Sequence, residues 1–213
     1  MTEKLLKIIA DKFPVTEIDA GEMKTLKASG MKFDIRVFYA EGLGHVSVMK
    51  ASGFFGLMRM DTLIINPTAI DLPLYSYDRI FAMGNDTLIV ELYDTLSGEY
   101  SEAGLEEAKA RYSTLPERDP GEHWYDYIKL SSSISKKGKK PQTSALDSMT
   151  VDHFVAYLNS NDKNGNTEVK QSKASAYVSG LIEKGGPSTD VFKKAIGEKK
   201  TRELFENILF GTK

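Results

Sequence analysis

Alternating apolar and polar positions dominate the first half of the chain. Residues 32–39 alternate regularly, and residues 45–50 do the same after a turn that contains two glycines. Because successive side chains of a strand point to opposite faces, this pattern predicts strands that bury one face, joined as a hairpin. Further strands are predicted for residues 55–65, 77–82 and 87–93. Five consecutive strands with short connections favour an antiparallel meander.

Apolar residues with helical spacing occur at the N-terminus and throughout the second half of the chain. Residues 1–13 form an amphipathic pattern, and residues 101–112 follow the predicted strands as a second helix. The remaining predicted helices are residues 150–158, 171–184, 188–196 and 198–209, with threonine or serine as N-caps of the first and third. Strands followed mostly by helices describe an α+β domain. We expect a three-layer α/β/α sandwich with a central, mainly antiparallel sheet and C-terminal helices.

A single domain over residues 1–213 is expected, because the chain is long enough for one substantial core and 41% of it is hydrophobic. Within it, residues 131–146 are polar and basic, with lysines at positions 136, 137, 139 and 140. Such a segment buries little apolar surface, which predicts a mobile loop. Its lysines are either a solvated face or a docking patch for an acidic electron carrier or a propionate-bearing ligand.

Composition excludes several kinds of chemistry. The 28 basic and 30 acidic residues give a net charge of −2, so no overall field attracts nucleic acid or an anionic membrane. The chain has no cysteine for a disulfide, a thiolate metal site or a nucleophile, and its three histidines lack metal-ligand spacing. No apolar run is long enough to span a membrane, and the N-terminus lacks the features of a secretion signal. We therefore expect a soluble, cytoplasmic monomer.

Asp78 is the residue that points most directly to function. It lies in a predicted strand whose other residues have the pattern of a buried core. Burying a carboxylate there costs free energy unless the group is hydrogen-bonded or takes part in chemistry. A structural role is the alternative, in which Asp78 caps the preceding turn or pairs with Arg79 or Arg59. The sequence alone leaves both interpretations open.

Two segments carry a resemblance to a known family. Residues 66–78 lead from an Asn-Pro turn through Leu-Pro and an aromatic residue to the strand aspartate, and residues 197–210 open a final helix with Gly-Glu and close it on Ile-Leu-Phe. Both segments resemble the ferredoxin-dependent bilin reductases, which are related to red chlorophyll catabolite reductase. The likeness covers about residues 30–211.

The resemblance implies an enzyme that reduces a linear tetrapyrrole. In this family the pigment lies between the sheet and the C-terminal helices, and a ferredoxin or flavodoxin-like protein delivers electrons singly, so no tightly bound cofactor is expected. Asp78 matches the central strand aspartate that acts on the pyrrole nitrogens. Asp61 stands where members have histidine or asparagine, and we expect Asp61 and Asp78 to face one cavity as catalytic proton donors. No dinucleotide fingerprint is present.

The chain also departs from the family pattern. An upstream acidic residue is replaced by Met49, and a polar residue expected before the penultimate helix falls near Gly185; neither replacement transfers a proton. These departures keep two alternatives open. One is a non-catalytic tetrapyrrole carrier or sensor, and the other is a scaffold in which bulky side chains have filled the cavity beside Asp78.

Overall fold

Eight strands form one antiparallel sheet in the computed structural model, which describes residues 1–186 and 188–213. Their order is β1-β3-β4-β5-β6-β7-β8, and β2 pairs with the free part of the β3 edge beside β1. The strands are β1 (Val15–Ile18), β2 (Thr25–Ala28), β3 (Met31–Ala40), β4 (Gly44–Gly53), β5 (Met58–Pro67), β6 (Leu74–Ala82), β7 (Asn85–Tyr93) and β8 (Ile134–Lys139). The five strands predicted from alternation therefore form the central meander, β3 to β7.

Helices cover both faces of this sheet. The helices are α1 (Thr2–Lys12), α2 (Ala103–Ala110), α3 (Thr143–Asn159), α4 (Thr167–Lys184), α5 (Thr189–Ile196) and α6 (Glu198–Glu203), which continues as a π-helical turn, Leu204–Leu209. The first three pack on one face and the last three on the other, and each face has its own hydrophobic core. We call these the α1–α3 face and the α4–α6 face. The predicted α+β class and three-layer sandwich are confirmed.

The predicted mobile loop at residues 131–146 is wrong. This stretch contains β8, which pairs with β7, and the beginning of α3. The basic composition did not indicate a strand because Lys136 is buried, which its sequence context does not reveal. Its ammonium group donates a hydrogen bond to the carbonyl of Leu115 at 3.0 Å and pairs with Glu117. A lysine can bury its long aliphatic stem when its charged end finds such partners. Thr150, predicted as an N-cap, lies within α3 and donates to Leu146 O.

The π-helical turn fastens the C-terminus to the sheet. Widening of the last turn changes which backbone carbonyls lack an intrahelical partner, and three carbonyls in residues 208–210 accept hydrogen bonds from side chains of β4 and β5. The donors are His45 Nε2 at 2.9 Å, Ser47 Oγ at 2.7 Å and Asn66 Nδ2 at 2.8 Å. Burial lowers the pKa of His45, which keeps the ring neutral. This anchoring holds the C-terminal segment over the α4–α6 face.

A buried ion pair joins α4 to the connection between β5 and β6. Lys170 is fully buried; its Nζ lies 3.4 Å from Asp71 Oδ1 and donates to Leu72 O at 2.7 Å. Burial lowers the pKa of Lys170 to about 8, although the Asp71 carboxylate opposes this shift. Asp71 also accepts a hydrogen bond from the Ser97 amide at 2.9 Å. The pair therefore fixes the segment that leads into β6.

In the described part of the chain, no helix combines the length and the apolar character needed to cross a bilayer.

Replacing Asp71 by asparagine should destabilise the fold, because it leaves the Lys170 ammonium group buried without its counter-charge. We expect a loss of about 3 kcal/mol in the free energy of unfolding near neutral pH, measured by urea denaturation. The loss should shrink as pH rises through about 8, the folded-state pKa of Lys170, because the buried amine is neutral above that pH and needs no counter-charge. Asp162→Asn, on the exposed loop before α4, is the control. Equal stability of the Asp71→Asn and Asp162→Asn variants would contradict this role.

Candidate active site

The pairing of β5, β6 and β7 places Asp78 on the α4–α6 face. Asp78 lies opposite Thr62 on β5 and opposite Ile89 on β7. The Thr62 hydroxyl donates a hydrogen bond to Asp78 Oδ1 at 2.5 Å. Asp78 is half-buried and borders a cavity.

Asp61 lies on the opposite face of the sheet. It is paired with Arg79, which directly follows Asp78 in β6, so the two aspartates point in opposite directions. The α-amino group of Met1 approaches Asp61 Oδ2 at 3.4 Å on the α1–α3 face. The expectation that Asp61 and Asp78 face one cavity is therefore wrong. Asp61 is the sequence neighbour of Thr62, the residue opposite Asp78, and neighbouring residues of a strand face opposite sides of the sheet.

Neither arginine proposed as a structural partner contacts Asp78. Arg79 is buried on the α1–α3 face, where it pairs with Asp86 and lies 3.3 Å from Asp147. The Arg59 guanidinium lies over the ring of Phe81, 5.2 Å from its centroid. Among the hydrogen bonds of the described residues, the Asp78 carboxylate has Thr62 as its partner. The ion-pair interpretation of Asp78 is not supported by this geometry.

Two adjoining cavities lie between the sheet and the C-terminal helices. The larger measures 460 Å³ and the smaller 100 Å³, and both are bordered by Asp78. The wall of the larger cavity is mostly apolar, and Arg118 and His123 are among its polar residues. Its apolar side chains include Met31, Phe33, Met58, Met60, Ile80, Ile89 and Phe192. A scaffold that has lost its cavity beside Asp78 is thereby contradicted.

The surroundings of Asp78 favour its protonated form. Burial and the negative charge of Glu91 together raise the pKa of this carboxyl to about 6, against the hydrogen bond from Thr62, which lowers it. Desolvation acts in this direction because it penalises the charged form of an acid. Asp78 thus holds its proton to a higher pH than an ordinary aspartate, as a general acid in a cavity should.

Glu91 is the second carboxylate of the cavity, and the sequence analysis missed it. It lies opposite Ser76, so it projects from β7 on the same face as Asp78. The Tyr93 hydroxyl donates to Glu91 Oε2 at 2.6 Å, and Lys129 Nζ lies 3.9 Å from Oε1. A signal was present, since Glu91 alternates with apolar residues in a predicted strand as Asp78 does.

The two positions that depart from the family pattern have distinct roles. Met49 borders the smaller cavity as an apolar side chain. Gly185 ends α4 with φ of 91°, and its carbonyl accepts a hydrogen bond from Trp124 Nε1 at 2.9 Å. The hydroxyl of Thr189, also at the smaller cavity, is buried without a hydrogen-bond partner. A buried free hydroxyl beside a cavity is available to a polar ligand atom.

No cluster of three or more histidine, aspartate or glutamate side chains suited to a metal ion occurs within residues 1–186 and 188–213.

Comparison with known proteins identifies the fold. The chain is similar in structure to selenomethionine-labelled phytochromobilin synthase from tomato, crystallised in complex with biliverdin. The TM-score is 0.76 and the sequence identity 15%, and the match covers 100% of this chain and 83% of the tomato protein. No protein-family model and no curated protein matches the chain. At this identity, the likeness shows a shared fold.

Replacing Asp78 by asparagine should stabilise the protein at alkaline pH. The folded-state pKa of Asp78 is raised, so ionisation between about pH 4 and 6 costs folding free energy, whereas asparagine has no charge to bury. We expect the variant to gain about 1–2 kcal/mol near pH 8 and almost nothing near pH 4, since the cavity partly solvates the carboxylate. Urea denaturation at both pH values measures this difference.

Asp61→Asn is the matched control on the other face and should show no such gain near pH 8. An Asp78→Asn variant with the same stability change at both pH values would contradict the raised pKa of Asp78.

Proposed function

We propose that the chain binds a linear tetrapyrrole in the cavities of the α4–α6 face and reduces it. Electrons arrive one at a time from an external ferredoxin- or flavodoxin-type protein, and Asp78 supplies a proton. The observation that carries this proposal is a carboxyl with a raised pKa, about 6, at the wall of a largely apolar cavity. The shared fold with a biliverdin-bound structure supports the class of ligand.

The cavity suits a flat conjugated ligand of this kind. Pockets of about 300–1,000 Å³ with apolar walls and a few polar groups are typical of small-molecule sites, and the larger cavity falls in this range. Methionine and phenylalanine side chains provide polarisable surface for a conjugated system. Arg118, which lines the larger cavity, carries a charge that suits a propionate group.

The proton transfer assigned to Asp78 follows from the charge that reduction adds to the pigment. Each electron makes the charge of the pigment more negative by one in a poorly solvated cavity, and proton transfer from a nearby acid offsets that change. The Asp78 O–H bond breaks, a bond from hydrogen to a pigment carbon or nitrogen forms, and the carboxylate is reprotonated from solvent. Reduction of one double bond consumes two electrons and two protons in total. Once the Asp78 carboxylate forms, the Thr62 hydroxyl stabilises it by donating a hydrogen bond.

A non-catalytic carrier or sensor is the second candidate function. The apolar Met49 and the helix-ending Gly185 favour it, because neither residue adds a proton donor to the cavity. Such a protein would bind the pigment without consuming electrons.

Biliverdin added to the purified protein should produce a shifted and structured absorption band, and an anaerobic reductant should then bleach or shift it. The Asp78→Asn variant should bind with similar affinity but reduce the pigment at least tenfold more slowly, because its amide supplies no acidic proton. Asp61→Asn should behave like the unaltered protein, since Asp61 faces α1 to α3.

An unchanged spectrum at saturating biliverdin would refute the proposed function. A shifted band that no reductant alters would favour the carrier, and equal rates in the Asp78→Asn and unaltered proteins would remove Asp78 from the chemistry.

The exposed lysines of the β8 region are proposed as the docking patch for an acidic electron donor. Lys137, Lys139 and Lys140 are exposed, whereas Lys136 is buried and must be left intact. Changing the three exposed lysines to glutamine should lower the rate of ferredoxin-driven turnover several-fold at low salt and flatten its salt dependence. Rates with a small-molecule reductant should stay the same. A ferredoxin-driven rate that is insensitive to both salt and neutralisation would dismiss this patch.

A further inference from the structure

A hydroxyl donor and a cation lie beside the Glu91 carboxylate. The Tyr93 hydroxyl donates to one carboxylate oxygen at 2.6 Å, and the Lys129 ammonium group lies 3.9 Å from the other. Lys129 Nζ also donates a hydrogen bond to Asp126 Oδ1 at 2.5 Å, which fixes the position of the ammonium group near Glu91. Both contacts stabilise negative charge on Glu91.

The tyrosine that holds Glu91 is itself rigid. Tyr93 is almost fully buried, and its ring packs against Tyr177 at 4.3 Å and meets Tyr125 edge-on at 5.7 Å, both measured between ring centroids. Burial raises the pKa of the Tyr93 hydroxyl, so this group keeps its proton and remains a donor. Tyr93 therefore acts as a positioning residue for the Glu91 carboxylate.

Asp78 and Glu91 share one cavity but meet different surroundings. Among the described residues that border the two cavities, they are the two carboxylates. Asp78 has a neutral hydroxyl as its partner, whereas Glu91 has a hydroxyl and a cation. The ionisable groups around Glu91 are Asp78 on β6, Tyr93 on β7, Tyr177 on α4, and Arg118, His123, Tyr125, Asp126 and Lys129 before β8. Carboxyl pairs placed in unequal environments commonly divide acid and anion roles.

We propose that Glu91 is the fixed anion of the cavity: it accepts hydrogen bonds from pigment nitrogens and selects the N-protonated, cationic form of the pigment, while Asp78 keeps the transferable proton. This proposal rests on the proposed function. An open-chain tetrapyrrole carries N–H donors and a basic imine nitrogen, which takes its additional proton from solvent on binding. A cation in a poorly solvated cavity needs a counter-charge, and Glu91 supplies it. A cationic pigment also accepts electrons more readily than a neutral one.

The pH titration of the absorption of bound biliverdin tests this assignment. In the Glu91→Gln variant, which keeps the size of the side chain and removes its charge, the pigment should bind a proton about tenfold more weakly, because a hydrogen bond to a charged acceptor is lost. The titration midpoint should move to lower pH by about one unit. Glu107→Gln, an exposed change on α2, is the control and should leave the midpoint unchanged.

A second readout uses the protein without pigment. The infrared carbonyl band that disappears in Asp78→Asn reports the protonated Asp78 carboxyl, and in Glu91→Gln its midpoint should move to lower pH, since the neighbouring negative charge is gone. If Glu91→Gln does not fold, the pair Glu91→Asp and Glu91→Asn makes the same comparison of charge at constant size.

The outcomes separate this inference from the proposed function. Pigment binding with unchanged midpoints in the charge-neutral variant would overturn the role of Glu91 alone. A lack of biliverdin binding by the unaltered protein would overturn the proposed function and the ligand-selecting role with it, and the infrared midpoint would then decide whether Glu91 holds Asp78 in its acid form.

Discussion

Strict alternation of side chains across β5, β6 and β7 is the constraint on which the rest of the structure depends. The buried apolar residues of these strands alternate between two separate cores: Leu63 and Ile65 belong to one, and Ile64 between them belongs to the other. Asp78 and Arg79 are adjacent, yet one borders a cavity and the other is buried in a salt-bridged network. A slip of one residue in β6 would exchange the two environments, so the strand register and the candidate site are a single structural property.

Most buried charged groups of this protein are paired, and Asp78 differs from them. On the α1–α3 face, Arg79 and Lys136 are each paired with a carboxylate, which compensates the cost of desolvation. On the α4–α6 face, the partner of Asp78 among the described residues is the hydroxyl of Thr62, and burial raises the pKa of the carboxyl. Paired charges hold the framework together, whereas an incompletely compensated carboxyl beside a cavity retains the capacity to exchange a proton.

Much of the fold was predictable, because apolar alternation and helical spacing are properties of each segment alone. Strand β8 was missed because its inward position is Lys136, whose burial depends on partners far away in sequence. Only part of the site could be predicted, because its other residues are also set by contacts between distant parts of the sequence. Asp78 could be recognised as a charged residue in a strand, but its companions depend on register: Thr62 rather than Asp61 lies opposite it. Glu91 belongs to the site because the two-residue turn between β6 and β7 sets the register of these strands, which places Glu91 on the same face of the sheet as Asp78.

The central claim is that the cavity beside Asp78 holds a linear tetrapyrrole. The most direct measurement is a crystal structure of the protein grown with biliverdin. We expect the pigment between the sheet and helices α4 to α6, with pyrrole nitrogens within hydrogen-bond distance of the Asp78 or Glu91 carboxyl. An empty cavity, or pigment bound only on the α1–α3 face or at the molecular surface, would contradict it.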